Sequence, residues 1–209
     1  MNFAEFISKL NLRLNNEPLP GHEEIVRSMS PNRMRLKGAP NESTRRSGVL
    51  ILFYAKGEEI YLPLILRPQY DGVHGGQMAF PGGRAELKDK NIQATALREA
   101  QEEIGIKASD AKVIGNLTEL YIAPSNLLCQ PVVGYINYPP DFYPDEREVA
   151  AILEVPLSDF LNPDTIQTRL VEARGYKFET PGFIIQEQIV WGATAIMIAE
   201  LIEIIKKIS

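Results

Sequence analysis

The chain has 209 residues, 44% hydrophobic and 23% charged, with a formal net charge of −5. That length is enough to bury a full core as one globular domain with additions. The acidic balance argues against a general nucleic-acid or anionic-membrane binder, and a single cysteine, Cys129, excludes an intramolecular disulfide and a cysteine zinc cluster.

Phe3, Phe6, Ile7, Leu10 and Leu12 have the spacing of a short amphipathic helix, ended by Asn15-Asn16 and Pro18. Residues 28–48 are polar and carry Pro and Asn, as a surface connector does. Runs over 48–54 and 60–66 read as two strands joined at Lys56-Gly57-Glu58 in a hairpin. A glycine-containing loop over 68–76 leads to a short strand at 77–80, the turn Phe80-Pro81-Gly82-Gly83, and a helix over 92–104. Strands are expected at 113–122 and 130–136, joined by Ala123-Pro124-Ser125-Asn126, and another segment at 148–153 leads to Val155-Pro156-Leu157. A short helix near 158–161, strands near 166–172 and 176–179, and a final helix from about residue 190 complete the chain. Alternating strands with two substantial helices make an α/β (α+β) layered domain. Residues 1–46 read as an N-terminal helix and connector packing on a domain of 47–209. The start lacks the basic and apolar segments of a signal peptide. The apolar stretch 189–205 is interrupted by Glu200 and Glu203, too short and charged for a bilayer span, so a cytoplasmic protein is expected.

Within 92–104, Glu99, Glu102 and Glu103 fall at i, i+3 and i+4 and share one helix face, while Leu97, Ala100 and Ile104 point to the core. Like charges this close cost about a few tenths of a kcal/mol per pair. A solvated acidic face could tolerate that cost. A hard divalent cation with oxygen ligands would offset it. Gly105 suits the helix C-cap, and Arg98 can pair with Glu102 one turn on.

The glycine turn followed by Arg98-Glu99-Ala100-Gln101-Glu102-Glu103-Ile104-Gly105-Ile106 resembles the Nudix box, G-x5-E-x7-R-E-U-x-E-E-x-G-U with U aliphatic. Ala100 fills one aliphatic position, and the interval from Gly83 to Arg98 is one residue longer than the pattern. The box's first acid therefore falls on Asp89 or Glu86, holding the loop. The resemblance implies the Nudix fold, a mixed β-sheet sandwiched between helices, and water attack on a nucleoside diphosphate linked to another group. It also implies Mg2+ or Mn2+ held by Glu99, Glu103, Glu102 and the Gly83 carbonyl, with Arg98 orienting a carboxylate such as Glu102. The general base would be Glu102 or an acid of a later loop, Asp145, Glu146 or Glu148. Of these, Glu148 has Val149 and Pro156 after it in a spacing the family shares. Glu102, Glu103, Arg98 and Glu148 form the expected catalytic set.

Gly76, Phe80, Pro81, Gly82 and Gly83 match the element that precedes the box in coenzyme A pyrophosphatases. Leu19-Pro20-Gly21, Ala123 to Asn126, Glu148-Val149 and Trp191-Gly192-Ala193-Thr194-Ala195 resemble the same subgroup. That implies cleavage of coenzyme A or a derivative to 3′,5′-ADP and a 4′-phosphopantetheine product. The subgroup's arginine position falls on Gly72, so Arg67 or His74 must substitute if the substrate is the same. Arg67, His74, Phe80 and Arg84 are the expected substrate contacts, although His74 could equally pack a loop. Trp191 reads as core rather than a stacking platform, Tyr121 and Tyr135 as strand residues, and Cys129 as a buried thiol. Two alternatives remain: a Nudix pyrophosphatase for ADP-ribose, a nucleotide sugar or a dinucleotide, and a noncatalytic ligand sensor of the same fold. The apolar final helix could serve a homodimer or a core.

Overall fold

A computed structural model describes residues 1–23, 25–26, 38–70, 74–173 and 175–208. The first helix, α1 (Phe3–Asn16), is capped by Asn2, whose side chain accepts from the Glu5 N–H. Strand β1 (Arg45–Lys56) starts two residues before the expected domain boundary. It forms a hairpin with β2 (Glu59–Leu66) and pairs in parallel with β7 (Leu127–Tyr135). The path β3-β2-β1-β7-β5 is the spine of the main sheet, with β3 at Met78–Ala79 and β5 at Lys112–Asn116. Three further strands attach: β4 (Gly82–Arg84) on β1, β6 (Leu120–Ile122) on β7, and β8 (Ala151–Pro156) on β2.

Alternation along β1 builds the layers. Leu50 and Leu52 pack with Ala96, Ala100 and Ile104 of helix α2 (Ile92–Ile104). Ile51 and Phe53 face the other way, into a core with Phe6 and Leu10 of α1 and Ile198 and Leu201 of α4 (Gly192–Ile205). A strand buried on both faces has to be apolar throughout, which is why 50–54 shows no polar alternation. The result is the expected mixed sheet between helices. Helix α4 spends its apolar surface in this core. Among the described residues no helix is long and apolar enough to cross a membrane.

Two of the expected strands differ in the structure. The expected strand 113–122 is two strands, because the ladder slips between Val113 and Gly115 and Thr118 turns away to bond Glu200. The segment from 148 opens as a turn, in which the Glu148 and Val149 N–H groups both donate to the Asp145 carbonyl, and β8 begins at Ala151. The strand expected at 176–179 runs on as β10 (Tyr176–Ile185) and pairs with β11 (Gln188–Trp191), so the last helix starts only at Gly192. The joining residues Gln186 and Glu187 both take positive φ, 46° and 68°, in a two-residue hairpin turn. Neither residue type advertises such a turn in sequence. With β9 (Ile166–Ala173) these strands form a separate three-stranded sheet, connected to β8 through the short helix α3 (Leu157–Leu161).

A buried polar knot ties the N-terminal segment to this frame. Glu200, fully buried on α4, accepts hydrogen bonds from the Gly21 N–H (3.2 Å), the Thr118 hydroxyl (2.5 Å) and the Thr118 N–H (3.1 Å). His22 lies beside it, its ring 3.8 Å from the Glu200 carboxyl and 3.0 Å from the Thr118 carbonyl.

Candidate active site

Helix α2 is bounded by the residues that cap it. Asn91 accepts from the Ala94 N–H, and Gly105 closes the end in the left-handed conformation with its N–H on the Gln101 carbonyl. The strand β4 brings the glycine turn alongside. Gly82 has φ 156°, and a Cβ there would lie 2.4 Å from the Gly48 carbonyl oxygen. A Cβ on Gly83 would lie 2.4 Å from a carboxylate oxygen of Glu99, so any larger residue there would push that carboxylate out of its place.

The three glutamates share a helix face but differ in depth. Their side chains are 1% (Glu103), 14% (Glu99) and 50% (Glu102) exposed. Glu103 accepts the Gly82 N–H at 2.7 Å and lies 3.7 Å from the Arg67 guanidinium. Burial pushes its carboxyl up to about 7, against the opposing pull of Arg67 and the Gly82 N–H, with Glu99 and Glu148 adding to the rise. Burial also raises Glu99; Arg98 opposes that rise, and Glu102 and Glu148 add to it. Two crowded carboxylates, both largely buried, beside the glycine-turn backbone form an oxygen-only donor set, which fits a hard divalent cation. Among the described residues no three His, Cys, Asp or Glu side chains converge as a ready-made cage. Glu102 is drawn outward instead, to Arg98 at 2.9 Å and Lys88 at 3.9 Å. The side chains that fit an ion best are thus Glu99 and Glu103.

Arg98 is the hub of the loop. It meets Glu99 and Glu102 at 2.9 Å each and donates to the Arg84 carbonyl at 3.0 Å. Its Nε and Nη2 also bond both oxygens of Asp89. Asp89 is therefore the loop-holding acid. Glu86 stays half-exposed, with its carboxylate 3.7 Å from Arg98.

The later loop docks on the end of α2, where the Tyr143 and Asp145 N–H groups donate to the carbonyls of Ile104 and Glu103. Asp145 is spent on Arg147 at 2.6 Å. Exposed Glu148 is the acid of this loop whose charge reaches both Glu99 and Glu103.

Beyond Gly82 and Gly83 opens a cleft of about 840 Å³, lined by Arg67, His74, Phe80 and Arg84 among others. Arg67 also bonds the Gly82 carbonyl at 3.3 Å, which makes it a brace of the glycine turn. His74 pairs with Gln77 at 3.1 Å. Phe80 is 1% exposed and builds the cleft's floor from beneath, whereas the Arg84 side chain is exposed. Gly72, where an arginine was expected, lies outside the described residues. Cys129 is a buried thiol, pushed up to about 11 by burial.

Trp191 departs from the sequence reading. It is only half-buried, packs edge-on against Phe178 and faces the cleft, as does Tyr121. The wall that Trp191 and Phe178 form was not foreseen. The one signal in the sequence was a tryptophan followed by glycine at a strand–helix junction.

A family model described as the NUDIX domain matches residues 44–179. A protein of Photorhabdus laumondii described as "Uncharacterized Nudix hydrolase NudL" is 35% identical over 175 residues, covering 81% of this chain and 92% of that protein. A Yersinia pestis protein of the same description is 35% identical over 159 residues, covering 76% of this chain and 79% of that one. Among solved structures, a MutT NUDIX hydrolase from Burkholderia pseudomallei aligns with a TM-score of 0.49 at 15% identity, over 77% of this chain and 99% of that one.

Proposed function

The chain belongs to the Nudix hydrolase family, and from that premise we propose that it hydrolyses the diphosphate of coenzyme A or a derivative, releasing 3′,5′-ADP and a 4′-phosphopantetheine product. The observation that carries the hydrolytic reading is the juxtaposition of Glu103 and Glu99 with the Gly82-Gly83 backbone at the mouth of a cleft. The coenzyme A reading rests on Gly76, Phe80, Pro81, Gly82 and Gly83 and on the later segments that resemble that subgroup. Residues 47–209 are read as the catalytic domain and 1–46 as an addition packed on it.

Glu99, Glu103 and the Gly83 carbonyl would hold Mg2+ or Mn2+. A divalent ion bound there polarises phosphoryl oxygens and lowers the pKa of the attacking water. Arg98 keeps Glu99 and Glu102 in place, and Asp89 keeps Arg98 in place. Arg67 and Arg84 offer positive charge to the diphosphate at the glycine turn. Water adds to one phosphorus, its proton passes to Glu148, and the bridging P–O bond breaks. Glu148 suits the role of base because it is exposed, while Glu102 is engaged by Arg98 and Lys88.

The test is a panel of coenzyme A, acetyl-coenzyme A, ADP-ribose and diadenosine tetraphosphate, each with Mg2+ and with Mn2+. Formation of 3′,5′-ADP from coenzyme A is expected. Preferred cleavage of ADP-ribose would sink the coenzyme A reading, and no turnover of any member would favour a noncatalytic sensor.

A further inference from the structure

Strands β6 and β7 are joined through a 3-10 turn, Ala123–Ser125, and then Asn126, which takes the left-handed conformation at φ 50° and ψ 50°. Asparagine tolerates that conformation better than most residues with a side chain. Its backbone serves the turn: the Asn126 N–H donates to the Ala123 carbonyl, and the Asn126 carbonyl accepts the Arg45 N–H, each at 3.2 Å. The side chain makes bonds that the turn does not require. Its Oδ1 accepts from the Tyr121 hydroxyl at 3.0 Å and from the Thr44 hydroxyl at 2.7 Å. Its Nδ2 donates to the Ser43 hydroxyl at 3.0 Å.

The partners fix one another's roles. Ser43 gives its own hydroxyl proton to Asn41 Oδ1 at 2.7 Å, and the Thr44 oxygen accepts the Asn41 N–H at 2.8 Å. The Asn126 amide therefore fits only one way round. Gly38 runs against the edge of the Tyr121 ring, where a Cβ would lie 3.2 Å from Cε1. Gly38, Asn41 and Ser43 precede residue 44, where the family model begins, whereas Tyr121 lines the cleft. One side chain thus joins a segment outside the matched domain to a ring inside the candidate site.

We propose that Asn126 is a positioning residue of this site: it clamps the connector at residues 41–44 to the Tyr121 hydroxyl and so holds the Tyr121 ring as a preset wall of the cleft. The inference rests on the diphosphate reading above and holds for any substrate of that class. A ring already fixed loses no rotamer freedom when substrate arrives, whereas ordering one such side chain on binding weakens affinity about two- to tenfold. The wall is met alike in ground and transition states, so its effect falls on KM and leaves kcat alone. Stability depends little on the clamp. Asn41 and Ser43 are exposed and Thr44 and Tyr121 half-buried, so water can replace the lost partners.

Asn126→Gly removes the side chain and keeps the positive φ. KM for the panel member cleaved best is expected to rise about fivefold, with kcat within about twofold of the parent. Asn126→Asp keeps Oδ1 and should hold KM within about twofold of the parent. In a Tyr121→Ala background no ring is left to position, so Asn126→Gly should then change KM by less than about 1.5-fold. A fall in kcat at constant KM, or the same rise in KM without the Tyr121 ring, would overturn the proposal. Should Asn126→Gly not fold, Thr44→Val takes one connector hydroxyl from the clamp and is expected to raise KM about twofold; an unchanged KM there has the same force. Hydrogen exchange reads the clamp without turnover: the Thr44 and Arg45 amides should exchange about tenfold faster in Asn126→Gly, with the amides of α2 unchanged. Equal exchange in variant and parent would mean that Asn126 clamps nothing. If no panel member is cleaved, the diphosphate reading and the KM role fall together, and faster exchange leaves Asn126 as a clamp of Tyr121 alone.

Discussion

Arg98 and Asp89 meet through two parallel hydrogen bonds, of 2.9 and 3.0 Å, that close the loop between β4 and α2. Asp89 also accepts the Thr95 hydroxyl and the Glu86 N–H, each at 2.9 Å. Asp89→Asn removes the charge and half the fork. A loss of about 2 kcal/mol is expected, seen as a fall of about 4–8 °C in Tm. Turnover should fall about tenfold as Arg98 loses its hold on Glu99 and Glu102. The hydrogen bonds from Arg98 hold the Asp89 carboxyl well below its usual range. A depressed folded pKa contributes stability that is complete above the unfolded value of about 3.9 and is lost as pH falls. The Tm gap between Asp89→Asn and the parent should therefore narrow between pH 5 and pH 2. A constant gap would show that the pair is not what Asp89 contributes.

Glu103→Gln keeps the shape and the acceptor for the Gly82 N–H but removes a buried charge. Turnover is expected to fall by about three orders of magnitude, with Tm at pH 8 within about 2 °C of the parent or above it. Near-normal turnover would remove Glu103 from the metal set.

In the metal-free protein the Glu103 carboxyl titrates near 7 because burial disfavours its charged form. The sign of the linkage follows. Between about 4.3, the unfolded value, and about 7 the folded state binds the extra proton, so this group's contribution to stability falls as pH rises and is flat above. A divalent ion must displace that proton. Mg2+ affinity should rise about tenfold per unit as pH climbs towards 7 and level off beyond it. Calorimetric titration at pH 6, 7 and 8 measures this, and an affinity constant from 6 to 7 would contradict the assignment of Glu103 as ligand.

Glu200→Ala leaves the N–H groups of Gly21 and Thr118 and the Thr118 hydroxyl without their acceptor inside the core. The expected cost is about 3 kcal/mol, or about 6–12 °C in Tm for a chain this long. Limited proteolysis should then cut faster near Gly21, while the Km for substrate stays within about twofold. Unchanged proteolysis would mean that Glu200 does not anchor the N-terminal segment.

The box residues were legible because their chemistry is local. Asn91, Gly105 and the apolar back of α2 mark a helix by propensity and capping, and Arg98 to Glu102 is a one-turn pair. The choice between Asp89 and Glu86 was not local. It turned on which carboxylate the β4 loop delivers to Arg98. Glu103 shows the same division, because helical spacing puts it on a face with Glu99 and Glu102 but burial depends on Gly82 and Arg67 arriving from elsewhere. Trp191 reads as core in the sequence because an apolar residue before an apolar helix gives no hint that Phe178 will stand beside it.

Sequence alone determined the reaction class, since the glycine turn and the carboxylate helix are encoded within one short, contiguous stretch whose spacing is set by helical geometry. Tertiary structure decided the depth of each carboxylate, the acid that holds Arg98, and the cleft that opens beside the glycine turn. Those properties come from contacts between residues far apart in the chain, where burial and approach depend on how the two sheets and α4 pack together.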